Sequence, residues 1–269
     1  MEAFYFSNNG ARLFGVLHRP AETPRLGLAF CCPYGQEMVS SYARFSRWAK
    51  LLEQEGIAVL RFHYGGTGES AGSSGDFSFE SACADTEAAV ICLRERLAGT
   101  PLGLFGYRFG ATVAARVASR VRPDMLVLWA PVVDPAAYLR ELLRLRLTKE
   151  LVHQRQGHVK VTRRELVEQL EAGQCIDLFG DDLSPVFYSQ LLEANPWAEP
   201  PVGVKVLWLA RAQEGRPGAD KARHWQQVQV AIDYRAIPEI VFWEEDPPGL
   251  PERFTQETAA WLQKVQAQG

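Results

Sequence analysis

The chain has 269 residues, 47% hydrophobic and 23% charged, which suits one α/β domain with an insertion and a large core. A net charge of −3 gives no general attraction to nucleic acid or an anionic membrane, so neither is expected as a partner. No apolar run is long enough to span a bilayer, and five cysteines without a CxxC pair point to reduced thiols and to no zinc site. The first ten residues, Met1 to Gly10, lack the basic-then-apolar pattern of a signal peptide, so a cytoplasmic protein is expected.

Phe4–Ser7 and Arg12–His18, joined through Asn8-Asn9-Gly10, read as a hairpin with an Asn-Gly turn. Leu26–Cys32 is a nearly continuous apolar run, as in a strand buried on both faces. Ser41–Gln54 has helical spacing, with Tyr42, Phe45, Trp48, Leu51 and Leu52 on one side and Ser40 and Ser41 as starting caps. Gly56 marks its end, and Ile57–Phe62 is the next strand. The loop Gly65–Gly75 is rich in Gly and Ser but has no Walker pattern and no GxGxxG, so it reads as a plain loop and not a nucleotide site. Phe79–Leu97 is helical, Leu102–Phe105 a strand, Arg108–Val121 a helix and Met125–Ala130 a strand. Val204–Ala210 and Val228–Ile237 are two more strands, and Phe254–Val265 is a closing helix. Such alternation predicts a mostly parallel sheet with helices on both faces.

Residues 138–196 break this rhythm as a helical insertion between core segments 1–137 and 197–269. Arg140 to Glu168 carries eight basic residues against four acidic ones. In a doubly wound sheet an insertion here lies over the C-terminal strand ends, where ligands bind. A lid is therefore expected, and a protein partner would meet the molecule there. The plain alternative is a solvated helical hairpin whose charges do nothing specific.

Residues 104–110 read Leu-Phe-Gly-Tyr-Arg-Phe-Gly. Gly106 and Gly110 permit a sharp strand-to-helix turn, and Ala111-Thr112-Val113-Ala114-Ala115 opens a helix of small side chains. A turn of this kind presents its central side chain above a helix N-terminus. Here that residue is Arg108, which is always protonated, donates hydrogen bonds and accepts none.

The element order resembles the α/β-hydrolase superfamily, which implies an α/β-hydrolase fold with a helical lid. Val59-Leu60-Arg61-Phe62-His63-Tyr64-Gly65-Gly66-Thr67-Gly68-Glu69-Ser70 resembles that family's LRFDYRGxGxS segment, with His63 in place of Asp. Cys32-Pro33-Tyr34-Gly35-Gln36-Glu37 stands where the family's first oxyanion-hole amide is supplied. Leu104–Gly110, Asp181–Leu191 and Pro33–Met38 are most similar to the hydrolase-like proteins encoded with exosortase systems. The resemblance implies hydrolysis by Ser, an acid and His in chain order. Arg108 stands at the serine position. Glu214 and Asp220 are available for the acid, and the stretch Pro238 to Glu252, where the His belongs, has none.

Arg108 is the central candidate, either as a structural guanidinium paired with Glu244, Glu245 or Asp246, or as an anchor for a carboxylate or phosphate. Tyr34, Gly35, Tyr107 and Phe109 are candidates for the surrounding ligand pocket, with Phe242 and Trp243 nearby. Cys31, Cys32 and His63 are the alternative nucleophiles or base, against plain readings as inert buried thiols and a structural imidazole. His153, His158 and His224 have no partners at ligand spacing, so neither metal nor cofactor is expected. Three functions remain open. One is a small-ligand binder for acyl, carboxylate or phosphate groups, without ordinary turnover. Another is a hydrolase or acyltransferase with a displaced nucleophile. The third is a partner-binding subunit of a biosynthetic or export system.

Overall fold

The computed structural model describes residues 1–153, 161–212, 216–238 and 249–266. Eight strands form one sheet: β1 (Glu2–Asn8), β2 (Ala11–His18), β3 (Leu26–Cys31), β4 (Ile57–Phe62), β5 (Leu102–Tyr107), β6 (Met125–Trp129), β9 (Lys205–Arg211) and β10 (Ala231–Ile237). Their spatial order is β1-β2-β4-β3-β5-β6-β9-β10, with β2 antiparallel to both its neighbours and the other pairings parallel. This is the α/β-hydrolase fold. β3, β4, β5 and β6 are buried along their whole length, which is why each reads as an unbroken apolar run in the sequence.

Helices cover both faces. α2 (Phe79–Arg96), α3 (Phe109–Val121) and α7 (Arg216–Gln227) pack on one side, in a core that includes Leu104, Val113 and Trp225. α1 (Gln36–Gln54) and α8 (Glu252–Gln266) cover the other, around Phe45, Trp48, Phe105, Trp129 and Trp261. Between β6 and β9 stand α4 (Pro135–His153), α5 (Arg163–Glu171), the short hairpin β7 (Ile176–Leu178) with β8 (Asp181–Leu183), and α6 (Pro185–Glu193). Among the described residues no helix is long and apolar enough to cross a membrane.

Several boundaries differ from the expectation, each for a local reason. α1 begins at Gln36, so Ser40 and Ser41 are not caps; their hydroxyls donate back to the Glu37 carbonyl inside the helix. The chain turns into α1 at Gly35, whose φ of 60° suits glycine. α4 begins at Pro135, three residues before the expected insertion, after an Asp134 side chain that accepts from the Ala137 amide. The insertion is not wholly helical, since β7 and β8 lie within it. Val228 to Val230 form a turn and a coil residue, and the last strand starts at Ala231.

The turn between β5 and α3 depends on two close approaches. A β carbon on Gly110 would run into the carbonyls of Cys31 and Cys32, and one on Gly106 into the backbone of Gly110 and Ala111. A helix therefore starts directly against the end of β3 and β5. Gly110→Ala is expected to lower the unfolding free energy by about 2–4 kcal/mol in urea titration. Gly218→Ala is the contrasting control, because a β carbon there meets nothing closer than 3.6 Å; it should change stability by less than about 1 kcal/mol.

Candidate functional site

Arg108 occupies the single position between β5 and α3, with φ 50° and ψ −120°. A non-glycine residue with this backbone is strained, and the surroundings must hold it there. Its amide donates to the Trp129 carbonyl at 3.0 Å, and its own carbonyl accepts from Ala111 and Thr112. Ala130, the residue after β6, also has a positive φ of 42°. The strand ends thus curl together at the C-terminal edge of the sheet, where this fold presents its site.

The guanidinium lies between two carboxylates. Nε donates to Glu37 Oε1 at 2.7 Å, and Nη2 donates to Glu141 Oε2 at 2.9 Å. Glu37 comes from the first turn of α1 and Glu141 from α4. Tyr138, one turn earlier on α4, donates its hydroxyl to Glu37 Oε2 at 3.3 Å, and its ring centre lies 5.5 Å from the guanidinium carbon. The side chains differ in exposure: 5% for Arg108, 13% for Glu37 and 36% for Glu141. Burial alone would lower the Arg108 pKa, but Glu37 and Glu141 more than offset this and raise it, so the cation persists. Burial pushes the Glu37 carboxyl up, against the downward pull of Arg108.

This arrangement inverts the usual charge at a helix start. The N-terminus of α3 favours anions, and a cation sits on it. Glu37 and Glu141 supply the negative charge that both the helix end and the guanidinium call for. Arg108 therefore has carboxylate partners on α1 and α4. Glu244, Glu245 and Asp246, expected in that role, lie outside the described residues, as does Glu214. Asp220 is exposed on α7 and pairs with Arg223 at 2.9 Å.

The other candidates divide into core and cleft. Tyr107 and Phe109 flank Arg108 in sequence but point into opposite cores. Tyr107 packs on Phe45, and Phe109 joins Tyr34, Phe77 and Phe187 in an aromatic cluster. Tyr34 stacks on Phe77 and donates its hydroxyl to the Asp182 carbonyl of β8, so it ties the insertion to the core. Gly35 remains near the site, in a narrow crevice with Glu37, Tyr138 and Glu141.

Cys31 and Cys32 are poor nucleophiles here. Burial raises both thiols, Cys32 to about 11 and Cys31 further still. Cys31 Sγ faces the Thr86 hydroxyl, and Cys32 Sγ donates to the Phe62 carbonyl. His63 is pinned as a structural group. Its Nδ1 accepts from the Glu69 amide, its carbonyl accepts from Ser70, and its ring packs on Phe14 and Tyr42. Burial lowers its pKa, so a neutral imidazole holds the Gly-rich loop. Among the described residues no group of His, Cys, Asp and Glu is placed to hold a metal ion.

A cleft of about 290 Å³ opens beside Arg108. Its walls are the loop after β6 (Pro131, Val132, Val133, Asp134), the first turns of α4, Trp208 and Arg211 of β9, Gly218 of α7, and Tyr234 of β10. Neither the Glu37–Glu141 pair nor this cleft was among the residues expected to meet Arg108. A usable signal did exist for Glu37: it sits two residues after the glycine turn whose place in the fold faces the β5–α3 bend.

The fold and the β5–α3 turn are those of the α/β hydrolases. The family model described as serine aminopeptidase, S33, matches residues 37–199, and the chain belongs to that family. Among solved structures, Est1E from Butyrivibrio proteoclasticus with ferulic acid bound has a TM-score of 0.68 at 16% identity, over 97% of this chain and 98% of that one. A thermostable carboxyl esterase from Bacillus coagulans in complex with glycerol has a TM-score of 0.67 at 13% identity, over 98% of each. The α/β hydrolase GrgF from Penicillium sp. sh18 gives 0.65 at 16% identity, over 99% of each. No curated protein matches the chain in sequence.

Removing Glu37 leaves a buried cation short of one partner, whereas removing the half-exposed Glu141 is partly compensated by water. In urea titration, Glu37→Ala should cost about 3–5 kcal/mol and Glu141→Ala about 1 kcal/mol or less. With iodoacetamide on the folded protein, peptide mass spectrometry should find the exposed Cys175 alkylated first. Cys31 and Cys32 should react only after denaturation. Rapid native labelling of either one would restore it as a nucleophile.

Proposed function

We propose that this chain is a ligand-binding α/β hydrolase that does not turn over esters by serine chemistry. In this reading the β5–α3 turn holds a small carboxylate or phosphate through Arg108. The observation that carries it is the Arg108 guanidinium, buried between Glu37 and Glu141 at the turn where attack on substrate would otherwise begin. A guanidinium has no lone pair for attack, and the sequence contains no histidine after His224 to act as the base. Loss of the nucleophile alone typically costs about 10⁶ in turnover.

Glu141 defines the ligand's place. It is the more exposed of the two carboxylates and contacts the outer edge of the guanidinium, while Glu37 grips Nε from inside. An external carboxylate or phosphate takes the Glu141 position and keeps the same charge-assisted geometry. Est1E, with ferulic acid bound, supports carboxylic acids as first probes. The similarity of three short segments to hydrolase-like proteins encoded with exosortase systems supports a place beside a biosynthetic or export system. It does not bear on the ligand.

Two measurements test this. A fluorophosphonate probe should leave the native protein unlabelled; stoichiometric labelling of a serine would overturn the non-hydrolytic reading. Ferulate or inorganic phosphate should raise the melting temperature of the wild type. Glu141→Gln removes the internal competitor and should tighten binding about tenfold. Unchanged or weaker binding in Glu141→Gln would reject Arg108 as the anchor, because a merely structural Glu141 has no reason to compete with ligand.

A further inference from the structure

A second cation is buried without a carboxylate. Arg61, on β4, is 7% exposed. Its Nε donates to His18 Nε2 at 3.2 Å, and its guanidinium carbon lies 5.0 Å from the Tyr42 ring centre. Burial, with the positive charge of Arg61, lowers the His18 pKa to about 4, so that imidazole is a neutral acceptor. Glu53 approaches the other nitrogen of His18, at 3.9 Å. The two terminal nitrogens of Arg61 have no acceptor among the described residues, and neither is sealed from solvent. Arg108 is paired with two carboxylates in a comparable setting; Arg61 has none among the described residues.

Arg61 lines a cavity of about 20 Å³ between α1 and strands β2, β3 and β4. Its walls are chiefly apolar, with Phe14, Phe30, Tyr42 and Phe45 among them. The other polar side chains on it are Cys32, Ser41 and His63, and no carboxylate lines it. The Cys32 thiol already donates to the Phe62 carbonyl and the Ser41 hydroxyl to the Glu37 carbonyl. His63, the residue after β4, shares a face with Arg61 by strand alternation. Its Nδ1 accepts from the Glu69 amide, so the neutral ring carries its proton on Nε2. That donor too has no acceptor among the described residues and is not sealed from solvent. The Glu69 side chain is exposed and does not line the cavity.

Size and charge define the occupant. A cavity of this volume admits one particle little larger than a water molecule. Water offers lone pairs to the donors but leaves the guanidinium charge uncompensated among apolar walls. A doubly charged anion gives up far more hydration on entering such walls than a singly charged one.

We propose that this cavity is a binding site for a monovalent anion of about the size of chloride, held by the terminal N–H groups of Arg61 and the Nε2–H of His63. No bond is made or broken, and the assignment is independent of the reading of Arg108. The anion ties the end of β4 to the start of α1, where Met38 and Ser41 line the same cavity.

The test compares sodium chloride with sodium fluoride at equal ionic strength, using the full chain. Strongly hydrated anions stabilise proteins generally, so an unspecific salt effect favours fluoride. At about 100 mM, chloride should instead hold the melting temperature about 3 °C above its value in fluoride. Arg61→Met should erase that difference, whatever its own melting temperature. In wild type the His63 Nε2 nitrogen resonance should move saturably with chloride, half-way at about 10 mM, and hold still with fluoride. Chloride stabilisation that survives Arg61→Met overturns the proposal by placing the ion elsewhere. A His63 resonance indifferent to chloride, or equal melting in the two salts, overturns it in favour of a bound water only. Should Arg61→Met fail to fold, wild-type crystals soaked in bromide decide the matter. An anomalous peak in contact with Arg61 and His63 supports the site, and its absence overturns it.

Discussion

One buried cation governs this molecule. Arg108 is inserted at a strained backbone position, against the positive end of α3, at the crowded meeting of β3, β5 and β6. Each of those circumstances disfavours a charge of its sign. It persists because Glu37 and Glu141 reach it from two other elements. The pair joins three parts of the chain that the sheet alone leaves separate: the elbow, the start of α1 and the first turns of α4. Tyr138 closes the arrangement by donating to Glu37, so two of the four side chains come from the insertion. The position of α4 is therefore an electrostatic matter as much as an apolar one.

That constraint has a chemical consequence. The start of α3 and the Gly35 turn form a concave, anion-favouring edge, the surface on which this fold stabilises negative charge. Here the chain fills that edge with its own carboxylates. The guanidinium is gripped on the inside by the more buried Glu37 and met on the outside by the more exposed Glu141, and in the proposed reading it is the outer contact that exchanges. Exchange at that contact alone preserves the buried pair, whose rupture would strand a charge in a dry interior.

The sequence carried the architecture because the central strands are buried on both faces and show it as continuous apolar runs. The elbow was legible for a similar reason: Gly106 and Gly110 announce a backbone approach that no other residue tolerates. Other features left no such mark. β7 and β8 have three residues each, too few for alternation to register. The start of α1 was displaced because Ser40 and Ser41 look like caps, whereas the real start is a glycine without a side chain to recognise. The partners of Arg108 lie 71 and 33 residues away in the chain. Pairing over such separations is decided by topology, and a carboxylate in the right loop is indistinguishable locally from one on a solvated face. Trp208 was hidden for the opposite reason. It sits in an apolar strand where an indole looks like core, and that its Nε1 has no acceptor among the described residues is visible only once its neighbours are placed.

The two sides of Arg108 are not equivalent. Towards β8 and α6 the space above the sheet is packed by Tyr34, Phe77, Phe109 and Phe187, with ring centres about 5–6 Å apart. The Tyr34 hydroxyl and the Ser184 hydroxyl bind backbone carbonyls across that packing and fasten the insertion down. Towards β9 and β10 the packing stops: Gly218 contributes no side chain, and the cleft opens between Val133, Trp208 and Tyr234. Among the described residues the wider opening beside Arg108 is thus on the β9 side, and only a narrow crevice reaches Glu37 and Glu141 beside Gly35. Of the two carboxylates, Glu141 lines this cleft and Glu37 does not. The more exposed carboxylate is thus also the one facing the open side, and this is the arrangement that the proposed exchange at the outer edge of Arg108 requires if the core is to stay intact.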